Sequence, residues 1–470
     1  MSFEQLPLNQ ALVEPVENYV SGIFPQAVGL LGELVKIPGI AWESFDANNL
    51  ERSAEAVADA FKNLGFFEFV EIRKALKPNG DLGSPAVLAR KAAKNGAPHV
   101  LLYAHHDVQP PGDRALWETE PFEATLKGDR LYGRGVSDDK SGIITHLFAL
   151  RGLQELSDSA DLGVTLFIEG EEEAGSESFE NFLEDNKAEL AADLIIVADS
   201  GNWTEDIPAL TTSLRAVVSQ TFTVSTMDHA VHSGMFGGPL PDAMTVMVKL
   251  LAGLTDANGD VAISGLKSTR VDELPISDAE FNAAAGILEG VQRLGTKSLV
   301  QQNWGEPAVT IIGIDAPAVA VASNTAQPAI TARVSLRLAP DQDPSEGLEL
   351  LRQHLLDSVE FGAKISFGHN EKGPGYLAKE GWASVLAHEA FSAMWPKPSV
   401  NIGIGGSIPF ISDFAKAFPD AQILVTGVEE PDSRAHSPNE SQHLPTLKRA
   451  IGAETLLLLH GNQLRAKPLN

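Results

Sequence analysis

The chain contains no cysteine. Disulfides, thiolate nucleophiles, iron–sulfur clusters and cysteine-type zinc sites are therefore excluded, and any transition metal must be held by His, Asp and Glu. Positive charge is also scarce. The 35 Lys and Arg stand against 63 Asp and Glu, a formal net charge of −28 at pH 7. A phosphate-backbone binder needs a basic surface, so no nucleic-acid partner is expected, and an anionic membrane is equally disfavoured. No run of about 18 apolar residues occurs, so no membrane-spanning segment is expected. The opening stretch MSFEQLPLNQALVEPVENYV has neither a basic n-region nor a long apolar h-region. It does not read as a secretory signal, and the expected location is cytoplasmic.

The 470 residues, 43% hydrophobic and 21% charged, have the composition of an ordinary globular protein of more than one domain. Apolar residues fall at helical spacing over Ile23 to Val35 and over Leu50 to Leu64, the second helix closed by Gly65. Val100 to Tyr103, Val164 to Ile168 and Leu194 to Ala198 read as short buried strands, with a helix over Gly142 to Leu156. Strands alternating with helices imply an α/β layer with a mostly parallel central sheet flanked by helices. The texture changes after Pro208. Leu214 to Ser225 and Ala329 to Leu338 alternate polar and apolar residues, with helices over Asp242 to Leu254 and Pro344 to Ser358. This reads as an α+β unit with one sheet face covered. The α/β texture returns with helix Ala383 to Met394, strand Ile423 to Thr426 and helix Leu444 to His460. The expected organisation is one α/β domain built from 1–208 and 373–470, interrupted by an α+β insert at 209–372.

Charged motifs follow the predicted buried strands, where ligand sites lie in open α/β sheets. His105 stands at the tip of the first, in YAHHDVQP, with Asp107 placed to take its other ring N–H and fix the tautomer. Alone, His-x-Asp reads better as a structural histidine. The Gly-rich loop GRGVSDDKSG fits no phosphate-binding pattern, and its paired aspartates Asp138 and Asp139 would repel phosphate. One of them is a candidate metal ligand, or either could cap the following helix. EGEEEAG places four carboxylates in five residues, and VADSG and AHSPNE add Asp199 and His436. Together His105, Asp138, Glu173, Asp199 and His436 make an N/O donor set suited to zinc, manganese or cobalt. Five ligands exceed one open tetrahedral site. Shared between two divalent ions with one bridging carboxylate, they leave room for a water of lowered pKa. Glu172, beside Glu173, is then the natural general base.

These motifs, with HSGMFGG at His232 to Gly238 and GGSIP at Gly405 to Pro409, resemble the co-catalytic zinc aminoacylase/carnosinase metallopeptidases of peptidase clan MH, most closely the dipeptidase branch. The resemblance implies a zinc-exopeptidase-like catalytic domain with two divalent ions, most simply zinc. His105 and Asp199 would bind one ion, Glu173 and His436 the other, and Asp138 both, with a cis Asp138–Asp139 peptide. Asp107 would orient His105. Glu172 would deprotonate a bridging water for attack on the peptide bond of a dipeptide. The insert would be a lid that forms a homodimer, with His232 polarising the scissile carbonyl in the partner subunit. Arg337, Gly406 and Ser407 would hold the substrate's C-terminal carboxylate. One departure is visible: where the family often has Arg-Glu before GGSIP, Gly403-Ile404 stand here. An N-acyl amino acid deacylase would share the metal site and differ in substrate. A serine hydrolase is disfavoured because GGSIP misses G-x-S-x-G at its last position. An intact ligand set weighs against a non-catalytic binding protein.

Overall fold

The computed structural model describes residues 7–406 and 408–466. The chain divides into two units, Met1–Thr212 with Ala378–Ile402 and Asp413–Asn470, and Ser213–Leu377 with Gly403–Ser412. The second unit takes in Gly403–Ser412, which the sequence pattern leaves in the closing α/β stretch. Arg215 ties that loop down: its backbone N donates to Ile404 O at 3.3 Å and its Nε to Gly405 O at 3.2 Å.

The first unit is built on a six-stranded sheet. Its order is Phe69–Arg73, Ala86–Lys91, Gly163–Glu169, His99–His105, Leu194–Val197, Gln422–Val425. The last four run parallel and the first two antiparallel. Every residue of His99–His105 and Gly163–Glu169 is buried, as strands covered on both faces require. Phe69–Arg73 has no buried residue, which is why no apolar run marks it in the sequence. Helices Val13–Val35, Lys140–Leu156, Trp382–Met394 and Leu444–Gly461 share one core with the sheet. Val13–Val35 begins well before Ile23 and carries Pro25 inside it. Its buried residues Val16, Tyr19, Val20, Ile23, Ala27, Leu31 and Leu34 keep one face throughout, and this packing outweighs the local cost of proline. From His99–His105 the chain moves to one neighbour, Gly163–Glu169, and then to the other, Leu194–Val197. That reversal makes a topological switch point, and its mouth lies at the carboxyl ends of His99–His105 and Leu194–Val197.

The second unit carries an antiparallel sheet in the order Ala308–Asp315, Ala329–Leu338, Ala216–Ser225, Lys364–Gly373. Along Ala329–Leu338 every second residue, from Ile330 to Leu338, is buried. These residues pack against Val246, Met247 and Leu250 of helix Ala243–Ala252 and Leu348, Leu351 and Leu355 of helix Pro344–Ser358. Each fully buried leucine contributes about 1.5–3 kcal/mol. Asp242 and Asp343 cap the two helices, accepting backbone N–H bonds at 2.8–3.1 Å.

Candidate metal centre

The switch point places His105 at a strand end and Asp199 two residues past the neighbouring one. His105 Nε2 lies 3.0 Å from Asp138 Oδ1 and 3.9 Å from Asp199 Oδ1. Its other nitrogen, Nδ1, faces Asp107, 3.1 Å from the backbone O and 3.4 Å from Oδ1. Asp138 turns its second oxygen the other way. Oδ2 lies 2.9 Å from His436 Nε2, which is itself 3.1 Å from Glu173 Oε2. Two groups of three donors result, His105–Asp138–Asp199 and Asp138–Glu173–His436, and Asp138 belongs to both.

Buried hydrogen bonds hold these loops in place. The adjacent aspartates divide the work: Asp138 joins the two donor groups, and Asp139 is the helix cap. Asp139 Oδ1 accepts from Gly142 N at 3.1 Å, and its Oδ2 accepts from His105 N at 3.2 Å. The peptide bond between them is cis. Asp107 does more than face His105. Its two carboxylate oxygens accept from Glu172 N at 3.2 Å and Glu173 N at 3.1 Å, so one side chain positions three members of the site. Of the acidic run, Glu171 caps the loop by accepting from Ser84 N and Ser178 N, and Glu169 accepts from Tyr103 Oη at 2.6 Å. His436 sits at φ 63°, between Arg434 at 57° and Asn439 at 63°. Left-handed conformations at non-glycine residues cost about 1–3 kcal/mol each and cluster at functional sites.

Charge is concentrated here. Burial pulls the His105 imidazole toward neutrality, but Asp107 and Asp138 outweigh it and hold the ring protonated well above the usual histidine range. Asp138 and then Glu173 raise His436 to about 11. Burial followed by the Asp199 charge pushes the Glu172 carboxyl well above the usual carboxylate range. The neighbouring His106 behaves oppositely. Its Nε2 meets Pro85 O at 2.7 Å, and burial lowers it to about 4.

The donors fit divalent ions. Imidazole and carboxylate ligands bind zinc at about 2.0–2.1 Å, so two ligands on one tetrahedral ion stand about 3.3 Å apart. The closest approaches here run from 2.9 to 3.9 Å. Each group has one nitrogen and two carboxylates, and the chain has no cysteine to offer a thiolate.

The family model described as peptidase family M20/M25/M40 matches residues 101–460. This chain belongs to that peptidase family. It is 34% identical to a cysteinylglycine-S-conjugate dipeptidase of Corynebacterium striatum, over 79% of this chain and 83% of that protein. It is 28% identical to a Beta-Ala-His dipeptidase of Rattus norvegicus, over 83% of each. The crystal structure of human carnosine dipeptidase 1 superposes with a TM-score of 0.72 at 23% identity, covering 97% of this chain and 100% of the other. That last likeness shows a shared fold.

In this M20 peptidase the remaining expected residues belong to the second unit. His232 is exposed and caps the short helix Ser233–Phe236, its Nδ1 accepting from Gly234 N at 3.1 Å. Arg337 is half-buried on Ala329–Leu338, and Gly406 follows strand Val400–Ile404. Ser407 lies outside the described residues. Arg215, which the sequence did not single out, is buried; burial and then the neighbouring Arg337 pull its guanidinium down to about 10. Among the described residues neither arginine has an acidic partner. Two further residues escaped notice. Gln109 Nε2 donates to Glu173 Oε2 at 2.7 Å. The buried Glu440 accepts from Gly135 N, Ser137 N and Asp138 N and from Arg134. Both stand inside motifs already marked, VQP and SPNE, but their partners lie 64 residues away for Gln109 and 302 to 306 for Glu440, which leaves no local signal.

Proposed function

We propose that the protein is a dinuclear metallodipeptidase that cleaves the peptide bond of small substrates carrying a free C-terminal carboxylate. The observation that carries this is Asp138, which presents one oxygen to each histidine of two donor groups. His105, Asp138 and Asp199 would hold one divalent ion, and Asp138, Glu173 and His436 the other; we propose zinc, and the donors also suit manganese or cobalt. Bound there, such ions supply Lewis-acid polarisation of a carbonyl and a water of lowered pKa. Glu172 takes the proton of the attacking water and passes it to the leaving amine as the C–N bond breaks. A raised carboxyl pKa suits a group that must accept and return a proton near neutrality. Asp107 keeps His105 in one tautomer and holds the backbone of Glu172 and Glu173.

The resemblance assigns recognition of the substrate's carboxylate to residues that belong to the second unit. Two adjacent guanidinium groups without an acidic partner repel each other and are relieved by an anion. We assign the substrate carboxylate to Arg337 with Gly406 and Ser407, as the resemblance implies, and add Arg215. His232 keeps the role of polarising the scissile carbonyl from across a homodimer. An apolar edge supports that dimer: Ala308–Asp315 ends its sheet and exposes Ile311, Ile312 and Ile314.

Metal analysis combined with a panel of dipeptides and N-acyl amino acids tests the proposal. The expected outcome is two ions per chain, turnover of alanyl dipeptides, loss of activity on chelation and its return with zinc. Equal turnover by metal-free protein, or inertness of the metal-loaded protein toward every dipeptide, overturns it.

A further inference from the structure

Two adjacent acids follow the strand Gln422–Val425, and the structure treats them differently. Glu430 is buried and satisfied. It pairs with Arg130 and accepts from Ser433 Oγ at 3.1 Å and Asp432 N at 2.8 Å. Glu429 has no such company. Its Oε1 is sealed from solvent and has no hydrogen-bond partner among the described residues. Its backbone is fixed beside the residues that follow Asp199: Gly201 and Glu429 form a parallel bridge, and Asn202 N donates to Glu429 O at 2.8 Å. The charges that act on its carboxyl are those of Asp138, Asp199, Glu440 and His436. Yet Glu429 belongs to neither donor group. It stands next to the metal ligands without being one of them.

A carboxylate in that position needs a cation, because an unpaired acid among other acids is costly. In a dipeptide the α-ammonium nitrogen sits only about 2.5 Å from the carbon of the scissile carbonyl. Whatever recognises it must therefore lie beside the ligand set and outside it. We propose that Glu429 receives the N-terminal ammonium group of the substrate and so selects free dipeptides over N-acyl amino acids. This inference rests on the dipeptidase reading and sharpens it by assigning the second charged end of the substrate.

The test compares Ala-Gly with propionyl-glycine, which is the same molecule without its amino group, on the zinc-loaded enzyme. The wild type prefers Ala-Gly. In Glu429→Gln the ratio of the two kcat/KM values falls by roughly 10- to 100-fold, the worth of one charge-assisted hydrogen bond. The loss sits mainly in KM for Ala-Gly, and zinc stays at two ions per chain by mass spectrometry. An unchanged ratio overturns the proposal, and so does loss of zinc from the variant, which would make Glu429 a support of the metal centre. Should Glu429→Gln fail to fold, the wild type still decides: equal kcat/KM for the two substrates excludes an ammonium site. An enzyme that hydrolyses neither compound defeats the dipeptidase reading itself and is thereby distinguishable.

Discussion

The two units of this chain handle charge in opposite ways. In the first, His105, Glu173 and Asp199 stand at or just past the carboxyl ends of fully buried strands, Asp138 and His436 join them from loops, and bonds to Asp107, Asp139 and Glu440 keep them close. In the second, the sheet alternates, apolar residues turn toward two helices, and its acid–base pairs, such as Arg333 with Glu371 at 2.7 Å, lie nearer the solvent. Arg215 and Arg337 are the exception there, two cations that feel each other's charge and have no acidic partner among the described residues. The contrast teaches that concentrated like charge needs a partner of opposite sign, whether from the chain, as Arg130 is for Glu205 and Glu430, or from a ligand. The second unit's own stability comes from packing.

The sharpest way to break the comparison is Glu172→Gln. We expect kcat to fall by about 100- to 10,000-fold, the range for a lost general base, with both metals retained by elemental analysis. If the metal content drops, Glu172 and Glu173 have exchanged roles. Leu351→Ala probes the other unit. It removes a fully buried side chain from the packed helix face, so stability should fall by about 2–5 kcal/mol in denaturant titration, with zinc affinity unchanged. A change in zinc binding there would show that the units do not divide charge and packing as described.

Asp107→Asn tests the loops rather than the ligands. It should weaken metal binding by about 10- to 100-fold, as losing a partner of a ligating histidine does, measured by competition with a chromophoric chelator. The last expected effect is a linkage to pH. Asp138 and Glu173 hold His436 protonated up to about 11, whereas a metal takes the neutral ring. Binding therefore releases protons, and apparent affinity rises with pH throughout the range below that value. Calorimetry in buffers of different ionisation enthalpy reads this directly. A binding heat independent of buffer would contradict it.

Much of the first unit was legible because burial on both faces writes continuous apolar runs. His99–His105, Gly163–Glu169 and Leu194–Val197 each stand where such a run lies. Alternation marked Ala329–Leu338 to the residue, and the helix Pro344–Ser358 carried its own cap. The edge strands Phe69–Arg73 and Ala308–Asp315 passed unseen, since partly exposed strands lack a continuous run. The charged motifs were visible, and their neighbours were harder to rank. Glu171, Glu172 and Glu173 look alike in a row, and the structure gives them different partners: the Glu171 carboxylate accepts from Ser84 N and Ser178 N, the Glu172 backbone N donates to Asp107, and the Glu173 carboxylate meets His436.

Periodicity, turn residues and the placing of acids after apolar runs are properties of neighbours in the chain, and the sequence alone settled those. Which of two adjacent histidines turns inward to a carboxylate and which to a carbonyl, why Glu430 meets Arg130 while Glu429 Oε1 has no hydrogen-bond partner among the described residues, and that the charge of Arg337 reaches Arg215 are matters of tertiary structure. Each depends on loops brought together across long stretches of chain, and electrostatic energy depends on distance in space, not on separation along the backbone.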